Sequence, residues 1–174
     1  MQTGDWEQRV ADAWASLGSR DASDFRARID ELVAELPPGD PDGLFERAAA
    51  LDSTGHSDLA VPLYEQALAG GLAGERRRRA VIQMASSLRN LDRSQESVAL
   101  LTAELGNGSD HLDDAVKTVL ALALTDVGRE REAVALAVEA LAAHLPRYQK
   151  SMANYARLLV RPDPAANPEA DVRT

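Results

Sequence analysis

The feature that most constrains this chain is a recurring interval. A turn residue preceded and followed by apolar residues at helical spacing comes back at Gly18, Gly55, Asp92 and Gly128, steps of 37, 37 and 36 residues. Around Gly55 the flanking stripes are Leu44, Ala48 and Leu51, then Ala60, Tyr64, Ala67 and Leu68. One step on they are Val81, Ala85 and Leu88, then Ser97, Leu101 and Leu105. The next copy has Leu120, Ala121 and Leu124, then Ala133, Ala137, Ala140 and Leu141. A fainter copy surrounds Gly18, with Ala11 and Trp14 before it and Phe25, Ile29, Leu32, Val33 and Leu36 after it. The unit is helix–turn–helix. Alanine at 48, 60, 67, 121, 133 and 140 stands where paired helices must touch, because axes approach to about 8–10 Å only over small side chains. No such unit buries its apolar face alone, so neighbours must stack into a continuous core.

The periodicity predicts an all-α chain of about nine helices and no strand. Their expected bounds are roughly 5–17, 21–35, 41–54, 57–70, 75–91, 94–106, 111–127, 130–145 and 147–160. The stretch "ELPPGDPDG" at 35–43 is expected as a loop, with Pro41 suited to a helix first turn. In "GNGSDHLDD", Gly106 or Gly108 is expected to stop a helix. Residues 162–174, "PDPAANPEADVRT", hold three prolines and no apolar periodicity, and are expected as a disordered tail.

The order small residue, Leu, Gly, Ala, aromatic, Ala-Leu across "RAAALDSTGHSDLAVPLYEQAL" resembles the tetratricopeptide repeat, as does "TVLALALTDVGREREAVALAVEAL". "QMASSLRNLDRSQESVALLTAEL" is looser, with Asp92 at the turn glycine, and residues 5–36 are degenerate. The intervals exceed the family's usual 34 residues, so the chain looks closest to bacterial small tetratricopeptide proteins with long units. The resemblance implies a right-handed superhelical stack of antiparallel helix pairs, a TPR-like α-solenoid. It implies one domain over 1–161: a degenerate unit at 4–38, units at 41–73, 78–108 and 114–146, and a capping helix at 147–161. It also implies a concave groove lined by the first helix of each unit, which takes a peptide or partner protein.

Composition narrows the function. The net charge is −9 and the pI about 4.8, which argues against general nucleic-acid or anionic-membrane binding. No cysteine exists, so no disulfide, thiolate metal site or Cys nucleophile is available. "MQTGDWEQRVADAW" has neither the basic nor the apolar region of a signal peptide, and no apolar run approaches the ~18 residues of a membrane span. A soluble cytoplasmic chain is expected. His56, His111 and His144 lie far apart, and no HExxH, P-loop or GxGxxG pattern occurs. No catalytic, metal or cofactor residue is assigned. Trp6, Trp14 and Tyr64 are read as packing aromatics, as are Tyr148 and Tyr155.

One run stands out against the acidic background: Arg76–Arg79, at the start of a helix. Successive helical residues turn by about 100°, so four cannot share one face. Arg76–Arg78 are read as solvated or paired with acids such as Glu75 and Glu65. Arg79 aligns with the groove-facing stripe that the resemblance implies, together with Ile82, Ser86 and Arg89. The preceding unit would contribute Asp42, Phe45, Ala49 and Asp52, and the following one Ala115, Thr118, Leu122 and Thr125. The Lys and Asn pattern of the carboxylate clamp in chaperone-tail-binding relatives is missing, so that specificity does not carry over. Two readings stand at this point. In one, Arg79 and Arg89 bind carboxylates of an acidic partner segment while Phe45 and Ile82 hold an apolar side chain. In the other, both arginines pair with Asp52 and other local acids. The functional expectation is a non-enzymatic protein-interaction scaffold or adaptor without cofactors. The alternative is a homo-oligomeric structural or regulatory subunit whose groove is filled by its own chain.

Overall fold

The turns that punctuate the sequence set the architecture. Gly55 adopts φ +85° and Gly128 φ +75°, left-handed conformations in which a Cβ is disfavoured. Asp92 takes the same conformation, at φ 58°. All three turns close alike. The amide after the left-handed residue donates to the carbonyl five residues back: His56 to Leu51, Arg93 to Leu88 and Arg129 to Leu124, each at 2.9 Å. Asp92 therefore does the work of a turn glycine despite its side chain.

A computed structural model describes residues 3–161. Among them are nine helices and no strand: α1 Thr3–Ala15, α2 Ala22–Val33, α3 Pro41–Asp52, α4 Ser57–Ala69, α5 Gly74–Asn90, α6 Ser94–Leu105, α7 Asp113–Asp126, α8 Glu130–Ala142 and α9 Gln149–Val160. Neighbouring helices pack in contact from α1 through α5 and from α6 through α9, as helix-pair repeats require. The tail expected at 162–174 lies outside the described residues. The chain divides into two units, Met1–Arg93 and Ser94–Thr174, with the boundary between α5 and α6, inside the repeat expected over 78–108.

In the first unit, α1 and α2 enclose Trp6, Val10, Ala13, Phe25, Ile29 and Leu32, with Ala50 of α3 closing the cluster. Trp6 Nε1 donates to the Leu32 carbonyl at 2.9 Å, and Trp14 meets Phe25 edge-on at 5.1 Å between ring centres. Asp21 caps α2 by accepting from the Ser23 amide, and Asp40 caps α3 ahead of Pro41. Gly43 lets α3 approach α2: a Cβ there would stand 2.9 Å from Val33 Cγ1. Ala48, Ala60 and Ala67, together with Tyr64, are fully buried where α3 and α4 meet.

The second unit repeats the device. Ala121, Ala133 and Ala140 are buried as α7 and α8 pack together, with Leu101 of α6 and Val116 of α7 at zero exposure. The last helix, α9, lies on α8. Gln149 Nε2 donates to the Ala143 and Leu145 carbonyls, and Arg131 Nε reaches the Leu159 carbonyl at 3.3 Å. The aromatics of this region correct the reading of Tyr148 and Tyr155 as core, since they are 74% and 60% exposed. On α9 the residues withdrawn from solvent are Met152, Ala156 and Leu159; Tyr155 lies about 100° round the helix from Ala156, and Tyr148 precedes the helix.

Candidate functional site

Helices α3 and α5 in the first unit carry eight of the expected groove residues. Between them the Arg79 guanidinium lies over the Phe45 ring, 5.3 Å from the centroid. Phe45 is itself fully buried, tilted against Tyr64 at 6.3 Å. This corrects the expectation that Phe45 meets a partner directly: α4 covers it from one side and Arg79 from the other. Arg79 and Ile82 remain half-buried, open in part to solvent. Stacking holds the Arg79 guanidinium in place while its five N–H donors keep their hydrogen-bonding capacity. No carboxylate pairs with Arg79 among the described residues.

Asp52, the acid expected as a local partner for the arginines, is occupied differently. Its Oδ1 accepts from the Ser87 hydroxyl at 2.6 Å and from Ser57 at 3.5 Å. Asn90 donates to Ser57 at 3.3 Å, and the Tyr64 hydroxyl donates to Gln83 at 3.1 Å. Burial pushes the Asp52 carboxyl above its usual range, opposed by the hydroxyl hydrogen bonds, chiefly that of Ser87. Burial, reinforced by the Asp52 charge, likewise drives the Tyr64 phenol far upward. Ser86 is half-buried beside this cluster in sequence, and Arg89 is half-buried in the last turn of α5, where a cation meets the negative helix end.

Of the two readings of Arg76–Arg78, solvated or paired with nearby acids, Arg76 follows the second, but with distant acids. Arg76 is not solvated: its side chain is 22% exposed and ties three helices together. Its two terminal nitrogens clasp Glu7 of α1 at 2.8 and 2.5 Å, and its Nε donates to Glu46 of α3 at 3.0 Å. Asp42 stands 3.8 Å away, and the Trp6 ring centre 5.6 Å. Trp14 Nε1 donates to the other Glu46 oxygen at 2.7 Å. The hydrogen-bonded Arg76 guanidinium holds Glu7 below the ordinary carboxylate range, and Glu7 in turn raises Arg76. Arg78 is 6% exposed, so it too is no part of a solvated rim. No local pattern announces the Arg76 hub, because its partners lie 30 and 69 residues away.

In the second unit, Thr118, Leu122 and Thr125 share the exposed side of α7. Both threonine hydroxyls turn back to their own helix, Thr118 to the Asp114 carbonyl and Thr125 to that of Ala121. Leu122 is 49% exposed. His144 pairs with Asp114 at 2.9 Å rather than with other histidines.

A stack of antiparallel helix pairs with small residues at each crossing and left-handed turns between them defines a helical-repeat protein. The family described as Tetratrico peptide repeat matches residues 41–159, and the chain belongs to it. No curated protein and no solved structure matches. Among the described residues no helix is long and apolar enough to cross a membrane.

Proposed function

We propose that this chain is a non-catalytic scaffold that binds a protein or peptide, and that the α3–α5 face receives an acidic segment of the partner. The observation that carries the reading is Arg79. Its guanidinium is pre-positioned on the Phe45 ring and has no acid partner among the described residues of a chain with 28 acidic ones. A planar fork fixed by stacking loses little side-chain freedom on meeting a carboxylate, so a bidentate contact there is favoured. Ile82, one turn further along α5, supplies an apolar neighbour for the residue beside that carboxylate. Family membership supports the same direction, because stacked helix pairs of this kind present surfaces to other proteins. A photo-crosslinking side chain installed at Ile82, with the exposed Glu65 of α4 as control position, tests it in the native host. The proposal expects one protein species captured from position 82 and not from 65. Equal capture from both overturns it.

A further inference from the structure

The last helix carries a charge pattern opposite to the rest of the chain. From Leu145 to Arg161 there are four basic residues, Arg147, Lys150, Arg157 and Arg161, and no acid. On an ideal helix Lys150 and Arg157 fall about 20° apart and about 10 Å apart along the axis, and Arg161 follows as the C-cap just past the helix end. All three are exposed, on a flank of α9 beside Ala156, which is packed to 1% exposure and lines the same cleft as Arg157 and Arg161. The one side-chain hydrogen bond in this stripe joins Arg157 to Asn154, a neutral group, and no acid pairs with any of the three among the described residues.

The stripe borders an apolar recess. Arg157, Arg161, Ala153 and Val160 form one wall of a cleft of about 500 Å³, and Ala135 and Leu136 of α8 form the other. Two acids also line it, but each has its own partner: Glu132 is held by Arg129 at 2.7 Å and Glu139 by Lys117 at 3.0 Å. On the opposite flank Tyr155 and Leu158 are 60% and 36% exposed. The helix C-terminus favours Arg157 and Arg161, but Lys150 in the first turn opposes the helix dipole, so the dipole does not account for the stripe.

We propose that α9 is a second interaction surface, independent of Arg79, which docks an acidic segment of a partner protein. The partner's carboxylates would engage Lys150, Arg157 and Arg161, while an apolar side chain enters the α8–α9 cleft. An anionic membrane fits less well. The chain as a whole is strongly acidic, which repels an anionic surface.

The test uses the full chain and a fluorescein-labelled 15-residue helical peptide with Glu at positions 2, 6 and 13 and Leu between them. The control peptide has Gln at those positions. The proposal expects the Glu peptide to bind at least tenfold tighter than the Gln peptide in ~50 mM salt. It expects R157E/R161E to lose that preference and R79E to keep it within twofold, with far-UV circular dichroism unchanged in both variants. Equal binding of the two peptides, or an unchanged preference in R157E/R161E, overturns it. Tighter binding to phosphatidylserine vesicles than to the peptide would make the occupant a lipid surface and also overturn it. So would a tenfold gain in peptide affinity for D163N/E169Q/D171N, which would make the chain's own acidic tail the occupant.

Discussion

Replacing Arg76 by methionine removes one cation from between three helices and preserves most of the side chain's volume. Glu46, whose side chain is 3% exposed, would keep only the Trp14 indole as hydrogen-bond donor among the contacts described. Breaking a fully buried pair costs about 3–5 kcal/mol. Arg76 is 22% exposed, so solvent screening lowers that contribution to about 2–3 kcal/mol. Glu7 is 41% exposed on its side chain, and its pair with Arg76 adds at most about 0.5 kcal/mol. Loss of the Trp6 contact adds about 0.5 kcal/mol more. R76M should therefore destabilise the first unit by about 3–4 kcal/mol, a large share of a domain's usual 5–15 kcal/mol. E46Q removes the buried charge but retains an acceptor for Trp14, and should cost about 1–2 kcal/mol. The double variant should cost clearly less than the sum, with a coupling of about 1.5–3 kcal/mol. Urea unfolding followed by tryptophan fluorescence reads this unit selectively, since Trp6 and Trp14 both lie on α1. A coupling within ~0.3 kcal/mol of zero would refute the hub.

The turns give an opposed pair: G55A should destabilise by about 1–2 kcal/mol because it forces a Cβ into the left-handed region, whereas D92G should stabilise by about 0.5–1 kcal/mol, both read as urea midpoints. Ala133→Leu should cost about 1–3 kcal/mol by overpacking the α7–α8 crossing, while Glu132→Gln nearby should shift the midpoint little. Asp52 is held above its ordinary value when folded, so the protonated carboxyl is the form that folding favours. Its contribution is fully present below the unfolded value of about 3.9 and is lost as pH rises through the higher folded value. D52N should thus gain stability relative to the wild type as pH rises above about 4, and a midpoint difference independent of pH would rule that out.

The helices were readable because their signals are local. Apolar residues three and four apart mark each face, and Gly18, Gly55, Asp92 and Gly128 mark the turns, so each expected helix overlaps an observed one with ends shifted by a few residues. The small residues at 60 and 133 were readable for the same reason. What the sequence hid depends on distant partners. Nothing beside Arg76 says that Glu7 and Glu46 converge on it, and the run of four arginines suggested a common environment for residues that face different ways. Phe45 looked available because helical register assigns a direction but not the Arg79 side chain that folds over it. The basic stripe of α9 was legible in principle, as seventeen residues without an acid in an acidic chain. The same residues looked like an ordinary end cap as long as only apolar periodicity was followed.

The central claim is that Arg79 is an anchor for an acidic partner segment. Its most direct measurement is the affinity of the segment captured from position 82 for wild type, R79E, R79K and R20E, at ~50 and ~150 mM salt, with melting temperatures recorded for each. Arg20 lies on an exposed turn and matches the charge change without touching the α3–α5 face. The account predicts at least tenfold weaker binding by R79E, an intermediate loss for R79K because the fork and the stacking are both reduced, and R20E within twofold of wild type. Equal affinities for R79E and R20E, with both variants folded, would contradict it.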